Sequence, residues 1–224
     1  MGDVLVDLLP LLIGAALLPV WIIIVLFLLR GERGPGKAAA FLGGAMLVRL
    51  AQGVIFGLLI ETAVQEYGEE SANAIASTLL LIVGILLLLG AVKKWRREED
   101  PDAPPPGWQE FLRRATPVKA LGMGALLMVL ALKQWVFTLS AIAVIEQGGL
   151  SRGENVLLYV LFTLVAQSLM AAPVVVTWLA PARAEHWLGA LEGWLQRNER
   201  VIMIAVSLIF GIWFFWKGIS GLIG

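Results

Sequence analysis

The stretch VLVDLLPLLIGAALLPVWIIIVLFLL, residues 4–29, decides the fold class of this chain. It carries a single charged residue, Asp7. A helix needs about 20 apolar residues to cross the hydrocarbon core of a bilayer, so this run is long enough. Lipid offers no hydrogen-bond partners to the backbone, and therefore only helices and closed barrels span it. The run is continuous rather than alternating in polarity, which predicts a transmembrane helix and not a barrel strand.

Five more apolar segments follow the first one along the chain. They cover residues 37–60, 74–92, 119–145, 154–180 and 200–223. The chain of 224 residues is 59% hydrophobic and 15% charged, with a mean hydropathy of +0.84, whereas soluble domains carry about 25% charged residues. We therefore predict an all-α integral membrane protein with six transmembrane helices and no room for a separate soluble domain.

Polar connections separate the predicted spans. Residues 30–37 form a short polar turn, and residues 61–71 are predicted to form an acidic loop. The longest connection, 93–119, holds basic and then acidic residues followed by three prolines at 104–106, which is typical of a solvated linker. Apolar residues recur at helical spacing after these prolines and again in 182–197, so we predict two short helices lying in the membrane interface.

Lysine and arginine residues are distributed unevenly among the connections. Thirteen of them flank the connections after the first, third and fifth spans, and only Arg152 and Lys217 lie on the other side. Such residues are retained on the cytoplasmic side of a membrane. The distribution therefore predicts a multi-pass protein of the cell membrane with both termini outside.

The two halves of the chain resemble each other. Leu-Ile-Val-Gly-Ile at 81–85 in the third span matches Leu-Ile-Phe-Gly-Ile at 208–212 in the sixth span at four of five positions. Trp21 in the first span likewise corresponds to Trp135 in the fourth. Since each half has an odd number of spans, the second half must enter the membrane from the opposite side. This pattern predicts inverted repeats, which are common in secondary transporters.

The predicted repeats divide the chain into three parts. Residues 1–95 form the first three-helix repeat, 96–118 a cytoplasmic linker with an interfacial helix, and 119–224 the second three-helix repeat. In transporters of this architecture the substrate site lies near the bilayer midplane, where the repeats meet. Residues at midplane depth are therefore the first candidates for a binding site.

Two cations lie near the middle of predicted spans. Arg49 is about twelve residues into the second span, and Lys133 lies about fourteen residues after Lys119 in the fourth. A charge at the bilayer centre costs roughly 2.5 kcal/mol or more, so it usually faces protein or water. We predict that both side chains point into one water-accessible cavity and bind an anionic carboxylate, phosphate or sulfate. The alternatives are that Arg49 extends to the headgroups and that Lys133 caps the carbonyls of a broken helix.

Other residues complete this candidate substrate site. Three amides could make polar contacts with the substrate: Gln52, Gln134 and Gln167. Trp21 and Trp135 are candidates to line the cavity, and Pro19 leaves the carbonyl of Ala15 without its helical donor. Two carboxylates, Glu61 and Glu146, end the second and fourth spans and are expected at the membrane interface.

Several function classes are disfavoured by composition. The chain has no cysteine and one histidine, His186, so we expect no metal, no haem and no other cofactor. Its formal net charge of zero gives no reason to expect a nucleic-acid partner. We find no nucleophile elbow, phosphate loop or paired buried carboxylates, and therefore do not expect an enzyme.

The end of the chain carries a family resemblance. Residues 191–202, LEGWLQRNERVI, lead into a final span with Gly211 and then Lys217-Gly218. With Pro19 and the Ala-Ala-Phe-Leu-Gly-Gly stretch at 39–44, they resemble the GAP branch, or sulfolipid-addressing proteins, of the lysine-exporter superfamily. The chain departs from the superfamily's Pro-Gly-Pro-type motif in the first span. It also lacks an Asn-Pro-Lys-Asn-like stretch in the fourth span, where Ala-Leu-Lys-Gln at 131–134 keeps only the lysine.

The resemblance implies a transporter that exports or flips an amphipathic, anionic, lipid-like substrate. The alternatives are an exporter of small solutes such as amino acids and a membrane scaffold subunit that transports nothing. The expected partners are a membrane lipid or anionic amphiphile and, at the protein level, a second copy or a larger export complex. No ATP-binding motif is present in the sequence, so an ion gradient or a partner would supply energy.

Overall fold

The computed structural model describes residues 2–16, 19–96, 112 and 114–223. Within these ranges the side chains at the following positions are not described: 3, 63–65, 67, 69–73, 75, 76, 79, 132, 133 and 181–186. Every regular element in the described part is an α-helix, which confirms the all-α class. The expected cytoplasmic linker lies mostly outside the described residues, although Leu112 and Ala115 near its end are buried.

The first apolar run forms two helices rather than one. Helix α1 covers Gly2–Ala16 and helix α2 covers Pro19–Leu29, and their axes differ by 50°. Proline suits the first position of a helix because its missing N–H needs no partner there, whereas inside a helix, as at Pro10 in α1, it removes one backbone hydrogen bond. Pro19 therefore begins a new helix in the middle of the predicted span.

Helix α3 covers Gly34–Arg96 and contains a kink at Gly68. Gly68 has φ 79° and ψ 167°, a combination that only glycine adopts readily. The kink divides α3 into a first arm, 34–67, and a second arm, 69–96. The predicted acidic loop at 61–71 is therefore wrong as a loop, because the chain stays helical on both sides of one glycine. Charged residues at a membrane boundary are compatible with a helix. The polarity of residues 61–71 therefore did not show that the chain changes direction only at Gly68.

The fourth apolar run is also broken. Helix α4 covers Pro117–Leu130 and helix α5 covers Leu132–Gln147, with a 70° bend between them at Ala131. Thr116 caps the start of α4 by accepting a hydrogen bond from the backbone N–H of Lys119. At the break, the indole Nε1 of Trp135 donates to the carbonyl of Val129 at 2.8 Å. This bond occupies a carbonyl that the helix end leaves without a backbone donor.

The last two helices are long and continuous. Helix α6 covers Arg152–Leu179 and begins with a capping box formed by Ser151 and Glu154, which satisfies two N-terminal donors. Helix α7 covers Pro181–Ile223 without a break. The sequence predicted a separate interfacial helix at 182–197 before the last span, and that separation is wrong. The amphipathic stretch continues directly into the apolar one, since no glycine or proline interrupts the helix between them.

The apolar helices identify a multi-pass membrane protein. Three segments in the described part are long and apolar enough to cross a bilayer: Gly34–Thr62, Arg152–Leu179 and Trp187–Ile223. The number rises to five if the bent pairs α1–α2 and α4–α5 each count as one span. This count does not determine whether the chain has six spans arranged as inverted repeats, and that arrangement stays a prediction.

Glycines allow two close helix contacts. The second arm of α3 runs antiparallel to α7, and a Cβ at Gly84 would lie 2.5 Å from the backbone nitrogen of Phe215. A Cβ at Gly211 would lie 2.9 Å from the side chain of Leu88. In the other contact, Gly44 in the first arm of α3 lies against the backbone of α4 near Leu121. Small residues at such contacts let helix backbones approach and gain dispersion energy where no hydrophobic effect operates.

Candidate functional site

Arg49 occupies the centre of a polar cluster between α3, α5 and α6. It lies in the first arm of α3, within the span Gly34–Thr62, and 0% of its surface is exposed. Its guanidinium Nη2 donates a hydrogen bond to the Oε1 of Gln134 near the start of α5. Arg49 is therefore enclosed by protein rather than exposed on the outer surface of the helices, which disfavours the alternative that it extends to the headgroups.

Tyr159 joins α6 to the same position. Its hydroxyl donates to the backbone carbonyl of Arg49 at 2.6 Å. The ring lies flat against Gly53, where any Cβ would overlap it. One turn along α6, Thr163 is fully buried, and the amide Nε2 of Gln167 lies 3.3 Å from the Sδ of Met46. The polar face of α6 thus follows the face of α3 that carries Arg49.

Several polar atoms of this cluster have no hydrogen-bond partner among the described residues. They are Nε and Nη1 of Arg49, both amide atoms of Gln52, Nε2 of Gln134 and the hydroxyls of Thr138 and Thr163. Leaving a buried polar group unsatisfied costs about 1–3 kcal/mol, and more for a charged group. Four of these seven atoms are N–H groups and thus donors only, and Arg49 adds a positive charge. The cluster is consequently suited to an anion that accepts several hydrogen bonds.

The remaining sequence candidates fall at different places. Lys133 is helical in α5, next to Gln134, but its side chain lies outside the described set. Trp135 caps Val129 and packs edge-on against Phe56, with ring centroids 5.4 Å apart. It therefore stabilises the break between α4 and α5, and this contact explains its position beside the polar cluster.

Trp21 and Pro19 belong to a different region of the molecule. Trp21 is buried against Phe41, with ring centroids 5.8 Å apart, in an apolar core shared by α2, the first arm of α3 and α4. Pro19 is buried at the start of α2. The structure thus groups Arg49, Gln52, Gln134 and Gln167 in one layer between helices, and places Trp21 and Pro19 in apolar packing.

Sequence reasoning missed three residues of the layer. Tyr159 and Thr163 lie eight and four positions before Gln167, which puts all three on one face of α6. Thr138 has the same relation to Gln134 on α5. A search for polar residues at a spacing of four within the apolar runs could have found them.

A cavity of about 220 Å³ lies beside this layer, also between α3, α5 and α6. Tyr159 and Gly53 form part of its wall, so the Tyr159 ring lies between the cavity and the backbone of Arg49. Arg49 itself does not line the cavity. Among the described residues Arg49 is fully enclosed, and the water-accessible cavity expected around it stays a prediction.

Comparison with known proteins gives one result. A family model described as "Sap, sulfolipid-1-addressing protein" matches residues 8–220. The match includes α2 to α6, α1 from residue 8, α7 up to residue 220, and all residues of the polar layer. No curated protein and no solved structure matches the chain.

Proposed function

The chain belongs to the sulfolipid-1-addressing protein family, and from this premise we propose that it is a membrane transporter that exports or flips an amphipathic, anionic, lipid-like substrate. The family's name concerns a lipid that carries a sulfate-type anion. In our proposal Arg49 and Lys133 hold the anionic group, and Gln52, Gln134 and Gln167 add polar contacts. The protein is then a transporter without enzymatic activity or cofactor, and an ion gradient or a partner supplies energy.

One observation carries the proposal: Arg49 is buried within a membrane span with two of its guanidinium nitrogens unpartnered among the described residues. A buried charge that is merely structural is normally paired or fully hydrogen-bonded. Here Gln134 takes one hydrogen bond and leaves Nε and Nη1 available. These two nitrogens lie on either side of Nη2 and point in different directions, so each can donate a separate charge-assisted hydrogen bond to an oxygen of a sulfate, phosphate or carboxylate.

The two broken helices give further support. The interruption between α1 and α2 precedes Trp21, and the interruption at Ala131 precedes Trp135, so the breaks fall at corresponding positions of the proposed repeats. Interrupted helices at equivalent positions of two halves are typical of transporter binding sites.

The matched glycines support the same arrangement. Gly84 contacts Phe215, four residues after Gly211, and Gly211 contacts Leu88, four residues after Gly84. This reciprocity is what a two-fold relation between the second arm of α3 and α7 would produce. We therefore retain six spans in two inverted repeats as part of the proposal, with both termini outside the cell membrane.

The proposal is tested by transport in vesicles. The purified chain is reconstituted into liposomes with a trace of a fluorescent sulfated glycolipid, and movement between leaflets is read as protection from a membrane-impermeant quencher, with and without an imposed ion gradient. Arg49→Gln and Lys133→Gln are each expected to lower the rate at least tenfold, as loss of a charge-assisted hydrogen bond requires. Lys119→Gln, at an exposed position in the first turn of α4, serves as control.

Normal transport by the Arg49→Gln, Lys133→Gln double variant would eliminate the proposal. Removing midplane charges makes membrane insertion easier, so loss of transport cannot be ascribed to failed insertion. Uptake of amino acids, without movement of the lipid probe, would favour the small-solute exporter instead.

The scaffold alternative also has one observation in its favour. Arg49 is fully enclosed and bonded to Gln134, as a charge that serves packing would be. A scaffold would transport neither probe. Its Arg49→Gln variant would associate less with a partner or a second copy, and no transport rate would be present to change. Co-purification from membranes with and without the substitution separates these outcomes.

A further inference from the structure

The cavity beside the polar layer has a charged rim at the end of three helices. Glu61 lies at the end of the span Gly34–Thr62, and Glu146 lies at the end of α5. Arg152 and Asn155 lie in the first turn of α6. Because these positions are the ends of apolar spans, the rim lies at the level where lipid headgroups meet the hydrocarbon.

The rim offers more hydrogen-bond acceptors than donors. The amide Nδ2 of Asn155 donates to the Oε2 of Glu146 at 3.0 Å. The other amide atom, Oδ1 of Asn155, is buried and has no partner among the described residues. With Glu61, the cavity wall therefore presents two carboxylates and an unsatisfied carbonyl oxygen. A primary ammonium has three N–H donors and a positive charge, so it can donate hydrogen bonds to these oxygens and balance the carboxylate charge.

The rim also carries one cation. Arg152 lines the same cavity as the two glutamates. Two negative charges and one positive charge within one cavity complement a zwitterion whose ammonium and anion are joined by a short link. Glu61 and Glu146 would by contrast repel a purely anionic headgroup.

Below the rim the cavity wall is aliphatic and open to the bilayer. Val54 and Leu58 of α3 are 64% and 45% exposed, and Val156 of α6 is 59% exposed. An acyl chain could lie along these side chains while the headgroup stays at the rim. A soluble amine would leave this apolar surface uncovered, so the lining favours a lipid.

We propose that this cavity binds a zwitterionic aminophospholipid, with its primary ammonium between Glu61 and Glu146 and its phosphate at Arg152. The site differs in charge from the layer around Arg49, and Tyr159 separates the two. It therefore stands independently of the anionic substrate proposed above.

The proposal is tested by equilibrium binding of lipids that differ only in the headgroup. The purified chain in detergent is offered phosphatidylethanolamine, its mono- and dimethyl derivatives, phosphatidylcholine and phosphatidylglycerol with identical chains, and bound lipid is read by native mass spectrometry. Each N-methyl group removes a donor and adds volume. We expect the affinity to fall along the series, with phosphatidylcholine about tenfold weaker than phosphatidylethanolamine and phosphatidylglycerol no stronger than phosphatidylcholine.

Substitutions of the rim carboxylates test whether the preference for phosphatidylethanolamine arises at the rim. Glu61→Gln and Glu146→Gln should each reduce the preference for phosphatidylethanolamine over phosphatidylcholine about tenfold, whereas Glu32→Gln, at an exposed turn, should keep it. Equal binding of both lipids by the unaltered chain overturns the proposal without any variant. So does a preference that survives both rim substitutions, or displacement of the lipid by an equal concentration of soluble phosphoethanolamine. Transport is not measured, so its presence or absence does not affect the result.

Discussion

Arg49 depends on residues from two other helices for its surroundings. Gln134 bonds its guanidinium, and Tyr159 bonds its backbone carbonyl. No described carboxylate forms an ion pair with Arg49, so its guanidinium keeps a large desolvation cost in a membrane span, and hydrogen bonds from neutral groups offset only part of it. The residue is thus placed where binding of an anion would release energy already stored in the fold.

Gly53 is the residue most sensitive to added volume in this layer. A methyl group there would overlap the Tyr159 ring, whereas Gly57, one turn further, has open space. Gly53→Ala should therefore lower the stability of the protein by about 1–3 kcal/mol. Gly57→Ala should raise it by up to about 1 kcal/mol, because alanine favours helix. Thermal unfolding in detergent measures both, and equal shifts for the two variants would contradict the contact.

The hydroxyl of Tyr159 should contribute measurably to stability. Tyr159→Phe removes its buried hydrogen bond to the carbonyl of Arg49 and should cost about 1 kcal/mol. Ser168→Ala on the same helix provides the control, since it removes a hydroxyl that donates to the carbonyl of Val165 at an exposed position. A larger loss for Ser168→Ala than for Tyr159→Phe would argue against the importance of the buried bond.

At the scale of the helices, the close contact between α3 and α7 fixes the position of both. Gly84→Ala should destabilise the protein by about 1–3 kcal/mol, because its Cβ would meet the backbone nitrogen of Phe215, which no side-chain rotation can move. Gly43→Ala, with nothing within 4 Å, is the matched control and should be neutral or stabilising. Unfolding midpoints in detergent that do not distinguish the two variants would contradict the close approach.

Hydropathy located the helices well but not their interruptions. The described residues of the six apolar runs are helical except Ala131 and Ala180, because backbone hydrogen bonding in lipid leaves few other options. The bend at Ala131 has no proline or glycine to mark it, and the hydrogen bond from Trp135 to Val129 spans it. The continuity of α7 was missed because a change in polarity was taken for a break in the helix.

At the scale of the whole molecule, orientation in the membrane awaits direct measurement. The chain contains no cysteine, so single cysteines can be introduced without a modified background. Pro104→Cys should react with a membrane-impermeant maleimide only after the cells are opened, and Ser151→Cys should react from outside, as the distribution of lysine and arginine requires. Labelling of position 104 in intact cells would reverse the predicted topology.

The candidate site was predictable in part for a physical reason. A cation or amide in an apolar run is conspicuous because its cost in hydrocarbon is high, and Arg49, Gln52, Gln134 and Gln167 were found in this way. Tyr159 and the threonines cost less to bury and do not stand out. For Trp21 and Trp135 a depth within the span could not distinguish a cavity wall from other roles, because a large aromatic side chain can equally fill a core or cap a helix end.

The reciprocal contact of Gly84 and Gly211 has a consequence for the origin of the chain. If the two halves descend from one ancestor, that contact was once self-complementary, formed between two copies of a half-length protein inserted in opposite directions. Duplication and fusion would then have replaced association of two subunits by a covalent connection, freeing each half to diverge. Arg49, with no cation at the matching place in its partner repeat, would be a product of that divergence.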